Sequence, residues 1–152
     1  MVTWAEFAGG APEIASEGRR LIDATGDGKA LLATVRGNDL PRIHPITVAI
    51  VDERLYSFII ARSPKKHDLE LDGRYALHTH LDPAAPIEVA LRGRARLVDA
   101  PDERGRVAAG WAFEVDDDYT LFEFSIESAL LGARPTADDW PPVYTSWRTR
   151  GS

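Results

Sequence analysis

The chain is 152 residues long, 44% apolar and 28% charged, the composition of one folded domain rather than a disordered segment. Its 18 basic residues against 24 acidic ones leave a formal charge of −6, which argues against a nucleic-acid partner because phosphate contacts dominate that affinity. With no cysteine, disulfides, zinc ribbons, iron–sulfur clusters and thiol nucleophiles are excluded. No apolar run approaches the roughly 18 residues of a membrane span, and residues 1–6 carry neither a basic n-region nor an apolar h-region. The expectation is a soluble, cytoplasmic protein with no membrane partner. Its chemistry must come from histidine, carboxylates, arginine, lysine or a borrowed cofactor.

Residues 1–29 read as a helical segment. Thr3 and Glu6 have capping-box spacing before Phe7. Pro12 suits a first helical turn, and Ile14, Gly18, Leu21 and Ile22 share one helical face until Gly26-Asp27-Gly28 stops it. From Ala30 the period changes to that of strands. Residues 30–36 form a first candidate, followed by a hairpin loop at Gly37-Asn38-Asp39, and 42–51 form a second that Pro41 and Pro45 place at an edge or kink. Residues 55–60 are rich in β-formers and predict a third strand. A loop at 61–66 and a short helix at 66–71 follow. Residues 74–81 and 87–98 predict two further strands, separated by a loop at 83–86, with a bulge or bend at Gly93. A helix opens at Pro101 and runs to about Glu114, Asp116-Asp117-Asp118 is a solvated turn, and 121–126 is a sixth strand with Phe122, Phe124 and Ile126 on one face. After a proline-rich stretch, 143–148 offers a last strand within a C-terminal extension over 135–152. Six or seven antiparallel strands with short turns predict a mainly β barrel flanked by helices, in one domain over 1–152.

Four places concentrate reactive side chains. The loop Arg62-Ser63-Pro64-Lys65-Lys66 precedes a helix, and its cations and hydroxyl suit an anion; a solvated basic loop is the plain alternative. Arg42 and His44 share one face of the second strand, as an exposed polar edge would also have them. His78 and His80 share a face of the fourth, a pattern that with His44 imitates a three-histidine metal site but that apolar alternation explains without metal. Arg92, Arg94 and Arg96 alternate along the fifth strand, opposite Val89, Leu91, Ala95 and Leu97, and need carboxylates, a partner subunit or an anionic ligand. Nucleophile-elbow, Walker and dinucleotide-fold signatures are missing from the sequence.

The order of these pieces over residues 30–126 resembles the pyridoxamine 5′-phosphate oxidase-like superfamily of flavin- and deazaflavin-binding split β-barrels. The resemblance is carried most by Leu55-Tyr56-Ser57-Phe58-Ile59-Ile60-Ala61-Arg62-Ser63-Pro64-Lys65-Lys66-His67-Asp68-Leu69, followed by Asp72-Gly73-Arg74-Tyr75-Ala76-Leu77. It is supported by Pro41-Arg42-Ile43-His44-Pro45 and by Glu88-Val89-Ala90-Leu91-Arg92-Gly93-Arg94-Ala95. It implies a homodimer with FMN, or the deazaflavin coenzyme F-420, in a groove at the subunit interface, and hydride transfer to a small-molecule redox substrate. Lys65 matches the family's phosphate-binding lysine, while Pro64 stands where the family has arginine, a contact Arg62 or Lys66 would have to replace. Ser63 belongs to the same phosphate loop. Ser57 and Phe58, and Arg42 and His44, fall near family positions that touch the cofactor. The family's oxidase-type C-terminal signature is absent, so pyridoxamine phosphate is not the expected substrate. A flavin- or haem-binding module without catalysis, using His44, His78 and His80 as ligands, is the alternative.

Overall fold

The structure, a computed structural model, describes residues 1–81 and 86–151. The loop expected at 83–86 lies, apart from Pro86, outside the described residues.

Two helices begin the chain. α1 (Trp4–Gly10) starts at the predicted capping box, with the Glu6 amide donating to Thr3 Oγ1 at 3.2 Å and the Thr3 amide donating to Glu6 Oε2 at 2.7 Å. Those bonds from Thr3 hold the Glu6 carboxyl below the usual carboxylate range. α2 (Pro12–Ala24) buries Ile14, Gly18, Leu21 and Ile22, the face its spacing predicts. Together with Trp4 and Phe7, packed edge-on at 5.2 Å, this face caps the barrel core.

The strands are β1 (Lys29–Thr34), β2 (Arg42–Thr47), β3 (Ala49–Val51), β4 (Arg54–Ile60), β5 (Arg74–Thr79), β6 (Ile87–Val98), β7 (Tyr119–Phe124), β8 (Ser128–Ala133) and β9 (Val143–Arg148). Two more helices intervene, α3 (Pro64–Leu71) after β4 and α4 (Pro101–Ala109) after β6. The paired order is β2-β1-β5-β6-β7-β4-β3, with β8 joined to β6 and β9 to β8, and all pairs antiparallel. The two ends of that order, β2 and β3, are neighbours in the chain through Val48. The sheet therefore curls until its ends meet, and the predicted barrel results, split where β2 and β4 face each other without a ladder. Among the described residues no helix is long and apolar enough to cross a membrane.

The expected second strand at 42–51 divides at Val48, which is buried and donates its amide to Gly28 O at 2.8 Å. Gly28 has φ +77°, and a Cβ there would stand 2.0 Å from Val48 O, so this crossing demands glycine. Gly93 serves the second crossing, since its Cβ would lie 2.0 Å from Ser125 O. Here β6 changes partners. Its first half lies between β5 and β8, and Ala95–Val98 pairs with β7. The expected single apolar face of β6 breaks at this bend, leaving Leu97 exposed while Val98 is buried.

Three other expectations shift. The fourth helix ends at Ala109 rather than near Glu114, because the chain turns in to pack Trp111 on Phe58, with ring centroids 5.1 Å apart. The sixth strand runs from Tyr119 to Phe124, and Ile126, though fully buried, lies past the crossing at Ser125. β8 was not expected. Its Ser-Ala-Leu-Leu-Gly-Ala sequence has little β-propensity and is held by ladders on both sides. The last strand forms where expected.

Replacing Gly93 with alanine forces backbone apart at the crossing. We expect Gly93→Ala to lower unfolding free energy by about 3 kcal/mol in urea denaturation, whereas Gly9→Ala, which meets open space, leaves it nearly unchanged.

Candidate functional site

The split between β2 and β4 is bridged by a side chain, Ser57 Oγ donating to Thr47 O at 2.7 Å. Along it runs an open groove of about 310 Å³, lined by Pro45, Ile46 and Thr47 of β2, Phe58, Ile59 and Ile60 of β4, and Lys29. Lys65 stands at its rim, as do the rings of Phe113 and Tyr119. Phe113 is 44% exposed. Trp111 packs on both Phe58 and Phe113, and its indole N–H is buried without an acceptor among the described residues.

α3 closes one end of this region. Ser63 is its N-cap, accepting from the Lys66 amide at 3.4 Å and donating to Ile60 O at 2.7 Å. Pro64 occupies the first turn, where its missing N–H costs nothing. Lys66 pairs with Glu70 one turn on, at 2.5 Å. Lys65 and Arg62 have no carboxylate within ion-pair distance among the described residues.

Beneath the helix Asp68 is almost wholly buried and gathers three donors. Thr34 Oγ1 donates to Oδ2 at 2.8 Å, Arg36 Nε to Oδ1 at 3.1 Å, and Arg42 Nε lies 3.1 Å from Oδ2. A buried carboxylate is tolerated only when its lone pairs are filled in this way. His44 Nε2 lies 3.3 Å from the same Thr34 Oγ1. Burial, with the charges of Lys65 and Arg42, pushes the His44 imidazole below its ordinary proton affinity, and Asp68 opposes the shift.

Of the eight side chains singled out from the sequence, the fold gathers Arg42, His44, Ser63, Lys65 and Lys66 around α3. Ser63 is spent on capping and Lys66 on Glu70. Arg62, one residue before the cap, is in the same loop. Ser57 points into the barrel and is fully buried, and its hydroxyl is used in the bridge to Thr47. Phe58 lines the groove while packing on Trp111 and lying under the Arg104 guanidinium, 5.0 Å from its ring centroid. Sequence reasoning missed Asp68 as the hub, and Phe113 and Tyr119 as rim residues. Asp68 could have been found as an acid at helical spacing from Lys65, facing back towards a strand. Phe113 arrives from the turn after α4 and Tyr119 from the start of β7, opposite Ile60, and neither position carries a local signal.

The other candidates separate. The register aligns His44 with Leu32, and His78 with Leu31, so the two imidazoles lie on opposite faces. His78 Nε2 instead lies 3.3 Å from Glu88. Arg96 is taken up by Glu123 at 2.6 Å and Glu103 at 2.8 Å, in a network that also holds Arg54 and the Tyr56 hydroxyl. Burial, and then the bond to Glu103, push the Tyr56 phenol up. Arg92 and Arg94 line a separate hollow with Arg74. Beside it, the outer face of β2, β1, β5, β6 and β8 forms a larger apolar hollow of about 530 Å³, with Leu31, Ile43 and Leu130 exposed.

No family model and no curated protein matches the chain. Solved structures do. A NimC/NimA family protein from Clostridium acetobutylicum is 14% identical, with a TM-score of 0.63 over 86% of this chain and 94% of that one. PhzG from Burkholderia lata, in complex with tetrahydrophenazine-1-carboxylic acid, is 12% identical, with a TM-score of 0.61 over 92% and 93% of the two chains. A haem-binding protein from Mycobacterium smegmatis is 14% identical, with a TM-score of 0.61 over 84% of this chain and 56% of that one.

Removing the buried hub leaves Arg36 and Arg42 facing each other. We expect Asp68→Ala to cost about 2–3 kcal/mol in chemical denaturation, less than a fully buried pair because both guanidiniums reach solvent.

Proposed function

Taking as premise that the chain has the split β-barrel fold of pyridoxamine 5′-phosphate oxidase-like proteins, we propose that it binds FMN in the groove between β2 and β4. It would do so as a homodimeric oxidoreductase acting on a small-molecule redox substrate. The observation that carries the reading is the pairing of an uncommitted lysine, Lys65, with an aromatic-rimmed apolar groove.

The residues fit the group. Lys65 is free to meet a phosphate, and Arg62 and Arg42 add positive charge nearby. Ile46, Phe58 and Ile59 make the groove lining largely apolar, and Phe113 and Tyr119 add aromatic rings to it. FMN, when bound, supplies hydride and electron transfer, and the protein binds, orients and shields it. That division of labour accounts for a site without a nucleophile or an acid–base pair. The chain's own residues hold the anionic tail at one end of the groove and keep water from the apolar floor. Small-molecule sites occupy about 300–1,000 Å³. At about 310 Å³ and open to one side, this groove is suited to completion by a second subunit.

The outer apolar hollow is the face we assign to that subunit. Leu31, Ala33, Ile43, Ala76, Ala90 and Leu130 form a continuous patch across the strands. Monomeric proteins seldom expose such patches to water. FMN is favoured over the deazaflavin because the arginine face that would serve a longer anionic tail does not line the groove. Arg96 is paired, and Arg92 and Arg94 open elsewhere. The haem alternative is weakened by His44 and His78 lying on opposite faces.

Two experiments test this reading. Titration of the apo-protein with FMN, followed by flavin fluorescence, should saturate. Lys65→Ala should weaken FMN binding by about 10- to 100-fold, a loss of 1.4–2.8 kcal/mol, with riboflavin affinity little changed and the circular dichroism spectrum intact. Absence of flavin binding, or unchanged FMN affinity in the variant, contradicts the assignment. Light scattering should give a dimer. Leu130→Glu, remote from the groove, should give a folded monomer with reduced FMN affinity, and a variant that stays dimeric removes this face from the interface.

A further inference from the structure

His44 is surrounded from three elements. Thr34 reaches it from β1, with Arg36 just beyond that strand's end. Lys65 and Asp68 face it from α3. Arg42 precedes it on β2, on the same side of the strand. The hydroxyl of Thr34 has one hydrogen, and at 2.8 Å that hydrogen goes to Asp68 Oδ2. Its oxygen can then only accept from the imidazole, so Nε2 carries a hydrogen whether the ring is neutral or charged. In the neutral ring the bare nitrogen is Nδ1, which has no hydrogen-bond partner among the described residues. The Asp68–Thr34–His44 chain thus fixes both the tautomer and the ring's orientation, as carboxylates do for histidines elsewhere. His44 shares its face of β2 with Ile46, which lines the groove.

We propose that His44 is the proton-linked member of the anion site, taking up one proton from solvent on Nδ1 when a phosphate ester binds beside Lys65. The inference rests on the reading that the groove takes a phosphorylated ligand. Without ligand, the positive charges of Lys65 and Arg42 oppose a third cation, and Asp68 is already shared among three donors. A bound phosphate reverses that balance, and the imidazolium then joins Lys65 in holding it. By linkage, affinity rises as pH falls from above the bound-state titration of His44 towards its free-state titration, and levels off below it. Asp68 and Thr34 act as positioning residues, through His44 rather than on the ligand.

The test is nuclear magnetic resonance of protein labelled with ¹⁵N-histidine, the His44 signals being assigned by their loss in His44→Gln. In the free protein the ring shifts should report hydrogen on Nε2. Saturating FMN should raise the His44 titration midpoint by about one pH unit, equivalent to a tenfold change in the proton-binding constant. Riboflavin, which lacks the phosphate, should leave the midpoint in place. Thr34→Val, nearly isosteric, should abolish the tautomer preference while the protein stays folded. Hydrogen on Nδ1 in the free protein, or a midpoint unmoved by bound FMN, overturns the inference while leaving the flavin reading standing. If FMN does not bind at all, the flavin reading fails and inorganic phosphate is the probe. A His44 midpoint that saturating phosphate leaves unmoved then overturns this inference too.

Discussion

Chain continuity at Val48 is the constraint on which the rest depends. One kinked segment supplies both ends of a seven-strand path, so the sheet must curl until β2 and β3 meet, and the close crossing at Gly28 lets it do so. The cost is a seam. Backbone donors and acceptors along a seam between strands need partners or water, and here β2 and β4 share the Ser57–Thr47 bridge in place of a ladder. The opening that remains is apolar at its base, because Ile46 and Ile59 also belong to the core, and polar at its end, where α3 begins. The groove is thus a product of how the barrel closes, not an insertion grafted onto it.

Charge is distributed in keeping with this. The net charge of −6 conceals a local excess of cations around α3. Asp68 ties two of them, Arg36 and Arg42, to the barrel wall, and Glu70 takes Lys66. Lys65 and Arg62 are left for something else. The other carboxylate hub, Glu123, sits under α4 with Arg54 and Arg96 bound and the Tyr56–Glu103 pair beside it. Each of those groups is satisfied, so that network locks α4 to β4, β6 and β7, while the α3 network leaves donors open.

Much of the architecture was legible in local patterns. The Thr3–Glu6 cap, the face of α2, the β-rich run before Ser63 and the glycine at 93 each carry a physical requirement visible in a few consecutive residues. What was illegible depended on distant partners. β8 is a strand because β6 and β9 flank it, not because alanine and glycine prefer one. The division of β2 from β3 follows from a crossing with Gly28, twenty residues earlier in the chain. The site divides in the same way. The basic loop announced itself, and Arg42 and His44 stood out as a pair on one strand face, but nothing local joined the two places. Asp68, the residue that joins them, looked like an ordinary helix acid, and the aromatic rim comes from the turn after α4 and from the first residue of β7. The arginines of β6 find the carboxylates their spacing called for at Arg94, which meets Glu127, and at Arg96, which meets Glu103 and Glu123, but a strand that changes sheets does not keep them on one face.

The seam between β2 and β4 is the proposed ligand groove. Hydrogen–deuterium exchange followed by mass spectrometry, with and without saturating FMN, addresses this directly. Protection is expected in peptides covering residues 42–47, 58–66 and 111–119, with the edge strand at 143–148 unchanged. Protection confined to the outer face at 128–148, or none at all, would contradict it.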